Sequence, residues 1–266
     1  MHRPIELIHI EGEPLKLSME DKYRSKVTTF AYNYLQNLGW FDEEICDNEG
    51  YTPWYTYPAI AFLKDILTKD DRVLEYGSGY SSLFYSKRVG HLTSIDHDLE
   101  WAQKIANKDT TIRIEVATES TKIHLDAIEH VKQFIYTFPQ IRSDDIQHDL
   151  MHGLANHEYA GYASQIFYKE KGFYNIVVID GMARALCAYL AVQQLNDDAY
   201  IILDNSDRWQ YNNIHKFLIE NGYGRLDFWG PGNQALNAWC TSIFSKKFPF
   251  KNTKILREEK GGKITL

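Results

Sequence analysis

An apolar run at residues 73–76 leads into two glycines, Gly77 and Gly79, and then into a helical pattern. A glycine turn between a strand and a helix leaves the main chain open to a nucleotide-containing ligand. The third glycine of a dinucleotide fingerprint is absent, because Ser82 stands in its place. Glu75 lies beside the turn, where its carboxylate would repel a pyrophosphate and pair with an ammonium group. The turn therefore favours a cationic amino-acid ligand over a dinucleotide.

A second carboxylate, Asp96, lies 17 residues after Gly79, at the end of the next predicted strand. A carboxylate at that position can accept hydrogen bonds from both hydroxyls of a ribose. Nicotinamide dinucleotides need the same contact. Asp96 therefore predicts an adenosyl ligand without identifying which one.

These residues need a sheet to position them, and the sequence predicts one. Short apolar runs alternate with helical patterns, which is typical of a mostly parallel sheet flanked by helices. The predicted strands are 72–76, 91–96, 112–116, 174–180, 200–204, 226–229 and 239–244. The predicted helices are 58–68, 81–88, 99–107, 184–195 and 209–221.

Three segments extend this α/β domain, which we place at 58–245. Residues 1–57 are predicted to hold an N-terminal helix and an aromatic loop, and residues 246–266 a basic tail. The interval 118–172 separates the third and fourth strands and is long for such a connection. We interpret it as an inserted cap over the cleft, in which Tyr159 and Tyr162 border the acceptor pocket.

Together the motifs resemble the class I methyltransferases that depend on S-adenosylmethionine (SAM). The resemblance spans roughly residues 53–245. Within this family the chain is similar to a bacterial group with WYTYPA and IDG-x-x-R segments. Its residues are Trp54-Tyr55-Thr56-Tyr57-Pro58-Ala59, Glu75-x-Gly77-x-Gly79, Asp96, Ile179-Asp180-Gly181 with Arg184 and Cys187, and Leu203-Asp204-Asn205. The resemblance implies a Rossmann-like sheet of seven strands, mostly parallel, with the last strand antiparallel.

The resemblance also implies a set of cofactor contacts. Glu75 would contact the amino group of SAM, Asp96 the ribose and Glu119 the adenine, while Tyr57 would close over the methionine end. The residues expected to line the methionine part are Gly77, Ser78 and Gly79.

Two interpretations remain open for the ends of the fourth and fifth strands. Cation-dependent O-methyltransferases carry an Asp and an Asp-Asn pair there, and Asp180, Asp204 and Asn205 are similar, with the two aspartates 24 residues apart. Oxygen ligands of this kind suit Mg²⁺, which would lower the pKa of an acceptor hydroxyl. Without a metal, Asp204 and Asn205 cap a helix and Asp180 is the candidate general base. Arg184 would then bind an anionic acceptor or pair with Asp180.

The sequence predicts a SAM-dependent methyltransferase of a small molecule, with O-methylation as one possible reaction. Two alternatives stay open. One is an NAD-dependent oxidoreductase of Rossmann type, against which Ser82 and Glu75 argue. The other is a non-catalytic protein that binds SAM and transfers no methyl group.

Composition and charge limit the classes of binding partner and the cellular compartment that we expect for this chain. The chain has 266 residues and a net charge of −7, but residues 246–266 contribute +5, so the remainder carries −12. An acidic body lacks the electrostatic footprint of a nucleic-acid binder. Three cysteines without a C-x-x-C pair indicate a reducing compartment, and no apolar run is long enough to span a bilayer. We therefore expect a cytoplasmic protein with neither nucleic acid nor membrane as partner.

Overall fold

Within the residues that the computed structural model describes, which are 52–137, 159–232 and 235–248, apolar runs form seven strands. They are β1 (Arg72–Tyr76), β2 (His91–Asp96), β3 (Ile114–Val116), β4 (Ile176–Ile179), β5 (Tyr200–Leu203), β6 (Gly224–Gly232) and β7 (Ala235–Ser245). The predicted N-terminal helix and most of the aromatic loop (1–51), residues 138–158 of the insert and residues 249–266 of the tail lie outside the described residues.

The strands form one sheet in the order β3-β2-β1-β4-β5-β7-β6. The pairs among β1 to β5 are parallel, while β7 runs antiparallel to both β5 and β6. β7 enters between β5 and β6, with Leu203 opposite Ser242. The predicted fold class, a mostly parallel Rossmann-like sheet with an antiparallel last strand, is confirmed.

Helices cover both faces of the sheet. They are α1 (Tyr57–Ile66), α2 (Tyr80–Ser86), α3 (Leu99–Ala106), α4 (Ile128–Thr137), α5 (Ala160–Ala163), α6 (Arg184–Gln194) and α7 (Asn212–Glu220). Short 3₁₀ turns at Leu125–Ala127, Ser164–Tyr168 and Trp209–Tyr211 adjoin them. No helix in the described part of the chain is both long and apolar enough to cross a membrane.

Strand residues alternate between two buried layers, as the two-residue repeat of a strand requires. Leu74 and Tyr76 face one layer, which also contains side chains of α4, α6 and α7. Val73 and Val178 face the other layer, which includes side chains of α1 and α2. Both faces of β1 are buried, so its run of apolar residues is nearly continuous in sequence.

The insert between β3 and β4 contributes to the core where the structure describes it. Val131 and Phe134 of α4 are buried, and the ring of Phe134 lies 5.2 Å from that of Tyr189 on α6. Tyr162 and Ala163 of α5 are also fully buried. A cap over the cleft, formed by the rest of the insert, stays a prediction.

Most predicted strand and helix bounds agree with the structure to within about two residues. The largest differences concern β6 and β7, which have 9 and 11 residues. β6 continues through Gly230 to Gly232, with a register shift between them. Glycine ordinarily ends a strand, but here Gly232 also pairs with Thr56 outside the sheet.

Candidate cofactor and acceptor cleft

Seven of the thirteen predicted site residues line one cleft at the carboxyl ends of β1, β2, β4 and β5. This cleft has a volume of about 380 Å³. Gly77, Ser78 and Asp96 line one part of it, and Asp180 and Arg184 line another. In parallel α/β sheets a ligand binds at the carboxyl ends of the strands, at the point where the strand order reverses. Here that point lies between β1, which is followed by β2 on one side, and β4, which is followed by β5 on the other.

A larger cavity, of about 640 Å³, lies along the β2–β3 edge, where Arg113 and Lys169 are part of its lining. None of the predicted site residues lines it. We place the functional site in the smaller cleft, because the glycine turn and the carboxylates of Asp96 and Asp180 line it.

Two turns of the cleft touch each other through glycines. Gly77 has φ +92°, and its N–H donates to the Ile95 carbonyl at 2.8 Å. A Cβ at Gly77 would lie 2.8 Å from Gly181 Cα, which follows β4. A Cβ at Gly181 would lie 2.1 Å from the Tyr162 hydroxyl oxygen. Both positions therefore exclude a side chain, and for Gly77 the backbone angle excludes one as well.

Asp96 fixes the glycine turn from the end of β2. Its Oδ2 accepts hydrogen bonds from the Ser78 N–H at 2.8 Å and the Ser78 hydroxyl at 2.6 Å. Its Oδ1 accepts from the Asp98 N–H at 2.9 Å and lies 3.3 Å from His97 Nδ1. Burial alone would raise the pKa of Asp96, but these hydrogen bonds outweigh it and hold the pKa below its usual value. Asp96 is therefore an ionised group in the cleft wall, and its contact with a ribose stays a prediction.

Glu75 lies behind the glycine turn and does not line the cleft. Its Oε2 accepts hydrogen bonds from the hydroxyls of Ser82 and Ser94, both at 2.5 Å. Ser82 also accepts from the Gly79 N–H at 3.0 Å, so the residue in the third glycine position ties the turn to Glu75. Burial raises the pKa of Glu75 to about 7, although the hydrogen bonds from the Ser82 and Ser94 hydroxyls oppose the rise.

The second oxygen of Glu75, Oε1, is buried and accepts no hydrogen bond within the described chain. A buried carboxylate oxygen without a partner is costly, so it indicates either a bound proton or a missing donor. The predicted contact between Glu75 and an amino group stays a prediction.

Aromatic side chains, which the sequence did not assign to the site, form one wall of the cleft. Trp54, Tyr80 and Trp101 all line it, and the Trp54 ring lies 6.0 Å from each of the other two. Trp101 Nε1 donates to the Ser78 carbonyl at 2.7 Å, which ties α3 to the glycine turn. Tyr57, which was predicted to close over the cofactor, is buried in the core at the start of α1 instead.

Thr56 explains why Trp54 and not Tyr57 reaches the cleft. The Thr56 N–H donates to Thr241 Oγ1 at 3.2 Å, and its hydroxyl donates to the Phe228 carbonyl at 2.9 Å. These bonds attach the segment before α1 to β6 and β7. Within this segment, Trp54 is the residue that lines the cleft.

Asp180 and Arg184 form an ion pair at the end of β4. Arg184 Nη2 donates to Asp180 Oδ1 and to the Asp180 carbonyl, both at 2.9 Å. Nε donates to the Gly181 carbonyl at 3.0 Å, and Nη1 to the Asp204 carbonyl at 2.8 Å. Arg184 thus crosslinks the turns after β4 and β5 and is only 5% exposed. Burial raises the pKa of Asp180, while the guanidinium groups of Arg184 and Arg208 oppose the rise.

The predicted Mg²⁺ ligands do not come together as a metal site. Asp204 is buried and its Oδ1 accepts from Thr241 Oγ1 at 2.5 Å and from Trp239 Nε1 at 3.2 Å. Burial, and then the charge of Asp180, raise the pKa of Asp204 to about 8. Arg184 holds a positive charge between the two strand ends, where it would repel a cation.

Elsewhere in the described ranges no group of three or more His, Cys, Asp or Glu side chains is arranged to hold a metal. The donor set therefore does not fit Mg²⁺. Asn205 lines the cleft in a left-handed conformation, with φ +50°.

The remaining predicted residues, Glu119, Tyr159 and Tyr162, do not line the cleft. The Tyr159 hydroxyl donates to Glu119 Oε1 at 2.8 Å, and its ring lies 6.0 Å from His97, which does line the cleft. Tyr162 is fully buried, with its ring 5.4 Å from that of Tyr76. An acceptor contact by Tyr159 or Tyr162 and an adenine contact by Glu119 stay predictions.

Comparison with known proteins gives no family assignment. No family model matches the chain, and no curated protein matches it. Solved structures do resemble it. A Streptococcus mutans protein in complex with S-adenosylhomocysteine (SAH) is 11% identical, with a TM-score of 0.41 over 69% of this chain and 93% of that one.

A TehB-like SAM-dependent methyltransferase from Corynebacterium glutamicum is 11% identical, with a TM-score of 0.40 over 84% of this chain and 99% of that one. A ribosomal protein L11 methylase from Lactobacillus delbrueckii is 15% identical, with a TM-score of 0.39 over 71% of this chain and 77% of that one. At such identities and TM-scores, these similarities identify neither an activity nor a substrate for this chain.

Proposed function

We propose that this chain is a SAM-dependent methyltransferase that acts on a hydroxyl group of a small molecule. The observation that carries the proposal is the position of β7. Dinucleotide-binding sheets have six parallel strands in the order 3-2-1-4-5-6. Here a seventh strand, β7, runs antiparallel between β5 and β6, and a seventh, antiparallel strand is what the sequence resemblance implies for methyltransferases.

The cleft residues fit SAM in charge and shape. Gly77 and Gly79 leave the main chain open at the end of β1, and Asp96 is an ionised carboxylate at the end of β2. Glu75 has an unpaired carboxylate oxygen beneath the same turn, which suits an ammonium donor. Trp54 offers an aromatic face, which stabilises a cationic sulfonium.

When bound, SAM supplies an electrophilic methyl group on a sulfonium. Asp180 is positioned to accept the proton of an acceptor hydroxyl, because Arg184 holds only its Oδ1. Its side chain is 22% exposed, and burial raises its pKa, which makes the carboxylate a better base. Arg184 fixes Asp180 in place, which keeps the acceptor and the methyl donor at reacting distance.

The acidic body of the chain disfavours a nucleic acid as the acceptor and so favours a small molecule.

Calorimetric titration with SAH and with NADH tests the cofactor assignment. We expect the chain to bind SAH and not NADH. Asp96→Ala should weaken SAH binding by at least about tenfold, the cost of losing a hydrogen bond to a charged group. Asp126→Ala is the control, because Asp126 is 80% exposed and lies outside the cleft. Binding of NADH, or equal SAH affinity in wild type and Asp96→Ala, would contradict the assignment.

Transfer itself is tested with methyl-labelled SAM and pools of small hydroxylated compounds. We expect label in an acceptor with wild type and much less with Asp180→Asn, which keeps the shape of the side chain and removes the base. Asp180→Asn should keep its affinity for SAH. Binding of SAH without any labelled product would instead indicate a non-catalytic SAM-binding protein.

A further inference from the structure

The order of the strands divides the cleft into a donor half and an acceptor half. Along its edge the strand ends follow the order β2, β1, β4, β5. Under the proposed function the ribose lies at Asp96 on β2 and the methionine part over the turn after β1. The acceptor must then enter from the ends of β4 and β5.

Two arginines line this acceptor half, and they differ in how they are bound. Arg184 is buried and donates hydrogen bonds to Asp180, Gly181 and Asp204. Arg208 is exposed, and its side chain makes no hydrogen bond or ion pair to any residue in the described ranges. Arg208 is therefore able to bind a ligand without breaking a contact within the protein.

The turn after β5 directs Arg208 to the cleft. The Arg208 N–H donates to the Asn205 carbonyl at 3.1 Å, which closes the turn, and both residues line the cleft. Asn205 supplies the left-handed residue of this turn, with φ +50°. The backbone that follows β5 thus places both residues at the cleft.

The charges of the cleft are unequal at its two ends. Asp96 and Asp98 place carboxylates at the β2 end. At the β4–β5 end the cleft is lined by two guanidinium groups, Arg184 and Arg208, and by one carboxylate, Asp180, which pairs with Arg184 at 2.9 Å. A cleft with an excess positive charge at one end attracts and orients a ligand that carries a negative group there.

We propose that the methyl acceptor is an anion, and that Arg208 binds its carboxylate or phosphate group at the β5 end of the cleft. This inference rests on the proposed methyltransferase function. It assigns recognition of the acceptor to Arg208, whereas the sequence suggested Arg184. Guanidinium groups bind both kinds of anion through paired N–H donors.

Anion titrations of the SAH-loaded protein test this inference. The probes are inorganic phosphate, benzoate and benzamide, the last being an uncharged relative of benzoate. We expect at least one of the two anions to bind wild type, and benzamide to bind far more weakly. Arg208→Gln should weaken anion binding by about tenfold or more, the usual effect of losing a charge-assisted hydrogen bond.

Two further variants sharpen the test. Arg208→Lys keeps the charge and loses the paired donors, so it should retain part of the affinity. Arg113→Gln is the matched control, since its side chain is 86% exposed and lines the other cavity. Phosphate and benzoate affinities that are equal in wild type and Arg208→Gln would overturn the inference, as would an absence of anion binding.

Measuring SAH affinity first separates this inference from the function on which it rests. If wild type does not bind SAH, the proposed function fails and the inference fails with it. If SAH binds and the anions do not, the inference alone fails. A loss of SAH affinity in Arg208→Gln would show that Arg208 holds the carboxylate of the methyl donor, which also overturns the inference.

Discussion

Replacing Glu75 by glutamine removes a buried carboxylate and keeps the size of the side chain. In the unfolded chain this group ionises with a pKa near 4.5, whereas burial raises the pKa to about 7 in the folded protein. Between these values the folded protein holds a proton that the unfolded chain releases. Stability therefore falls as the pH rises through this interval.

The magnitude follows from the two pKa values. A difference of one pKa unit corresponds to about 1.36 kcal/mol, so the contribution of Glu75 is roughly 3 kcal/mol. It is fully present below about pH 4.5 and lost above about pH 7. Glu75→Gln has no such group, so its stability relative to wild type should increase by about this amount between pH 4 and pH 8.

Urea unfolding of wild type and Glu75→Gln across this pH range measures the effect. Other buried groups titrate in both proteins, Asp204 among them, so the difference between the two curves isolates Glu75. Glu129→Gln is the control, because it makes the same replacement at a side chain that is 80% exposed. A difference between wild type and Glu75→Gln that changes by less than about 1 kcal/mol would refute the reasoning.

The same carboxylate gives a direct test of its contact with the cofactor. If the amino group of SAH pairs with Glu75, binding at pH 6 ionises Glu75 and releases about one proton. Calorimetry in buffers of different ionisation enthalpy measures that proton. Glu75→Gln should release none, and equal proton release in both proteins would exclude the contact.

Two other substitutions test how the cleft is built. Gly181→Ala should destabilise the fold by about 1–3 kcal/mol, because its Cβ would lie 2.1 Å from the Tyr162 hydroxyl oxygen, and Tyr162→Phe should restore part of the loss in thermal unfolding. Arg184→Met should cost about 3–5 kcal/mol in urea unfolding, because Asp180 is left without its partner. An unchanged stability in either variant would show that the contact does not hold the turns together.

The sheet could be predicted from the sequence because its signals are local. β4 and β5 are short apolar runs, and both bounds of β1 and β2 were predicted. The extent of β6 and β7 was not predicted, because it depends on pairing between distant residues. Gly232 joins Thr56, which is far away in sequence, and no local pattern reports such a contact.

Most predicted residues that follow directly from the end of a strand line the cleft, whereas Tyr57 and Tyr162 are buried away from it. Gly77 and Asp96 follow directly from where their strands end. Tyr57 and Trp54 lie in the same aromatic segment, and the bonds of Thr56 decide which of them faces the cleft. Sequence spacing does not contain that information.

The polar groups of the cleft show why methyl transfer there would need little rearrangement. Ser78 is bound to Asp96, and Ser82 to Glu75, so the turn that faces the donor is held from two directions. Arg184 joins the turns that face the acceptor. Groups that are already fixed need not reorganise when charge moves during the reaction. Under the proposed function, these fixed groups position the methyl donor, and Arg208, which is bound by none of them, selects the acceptor.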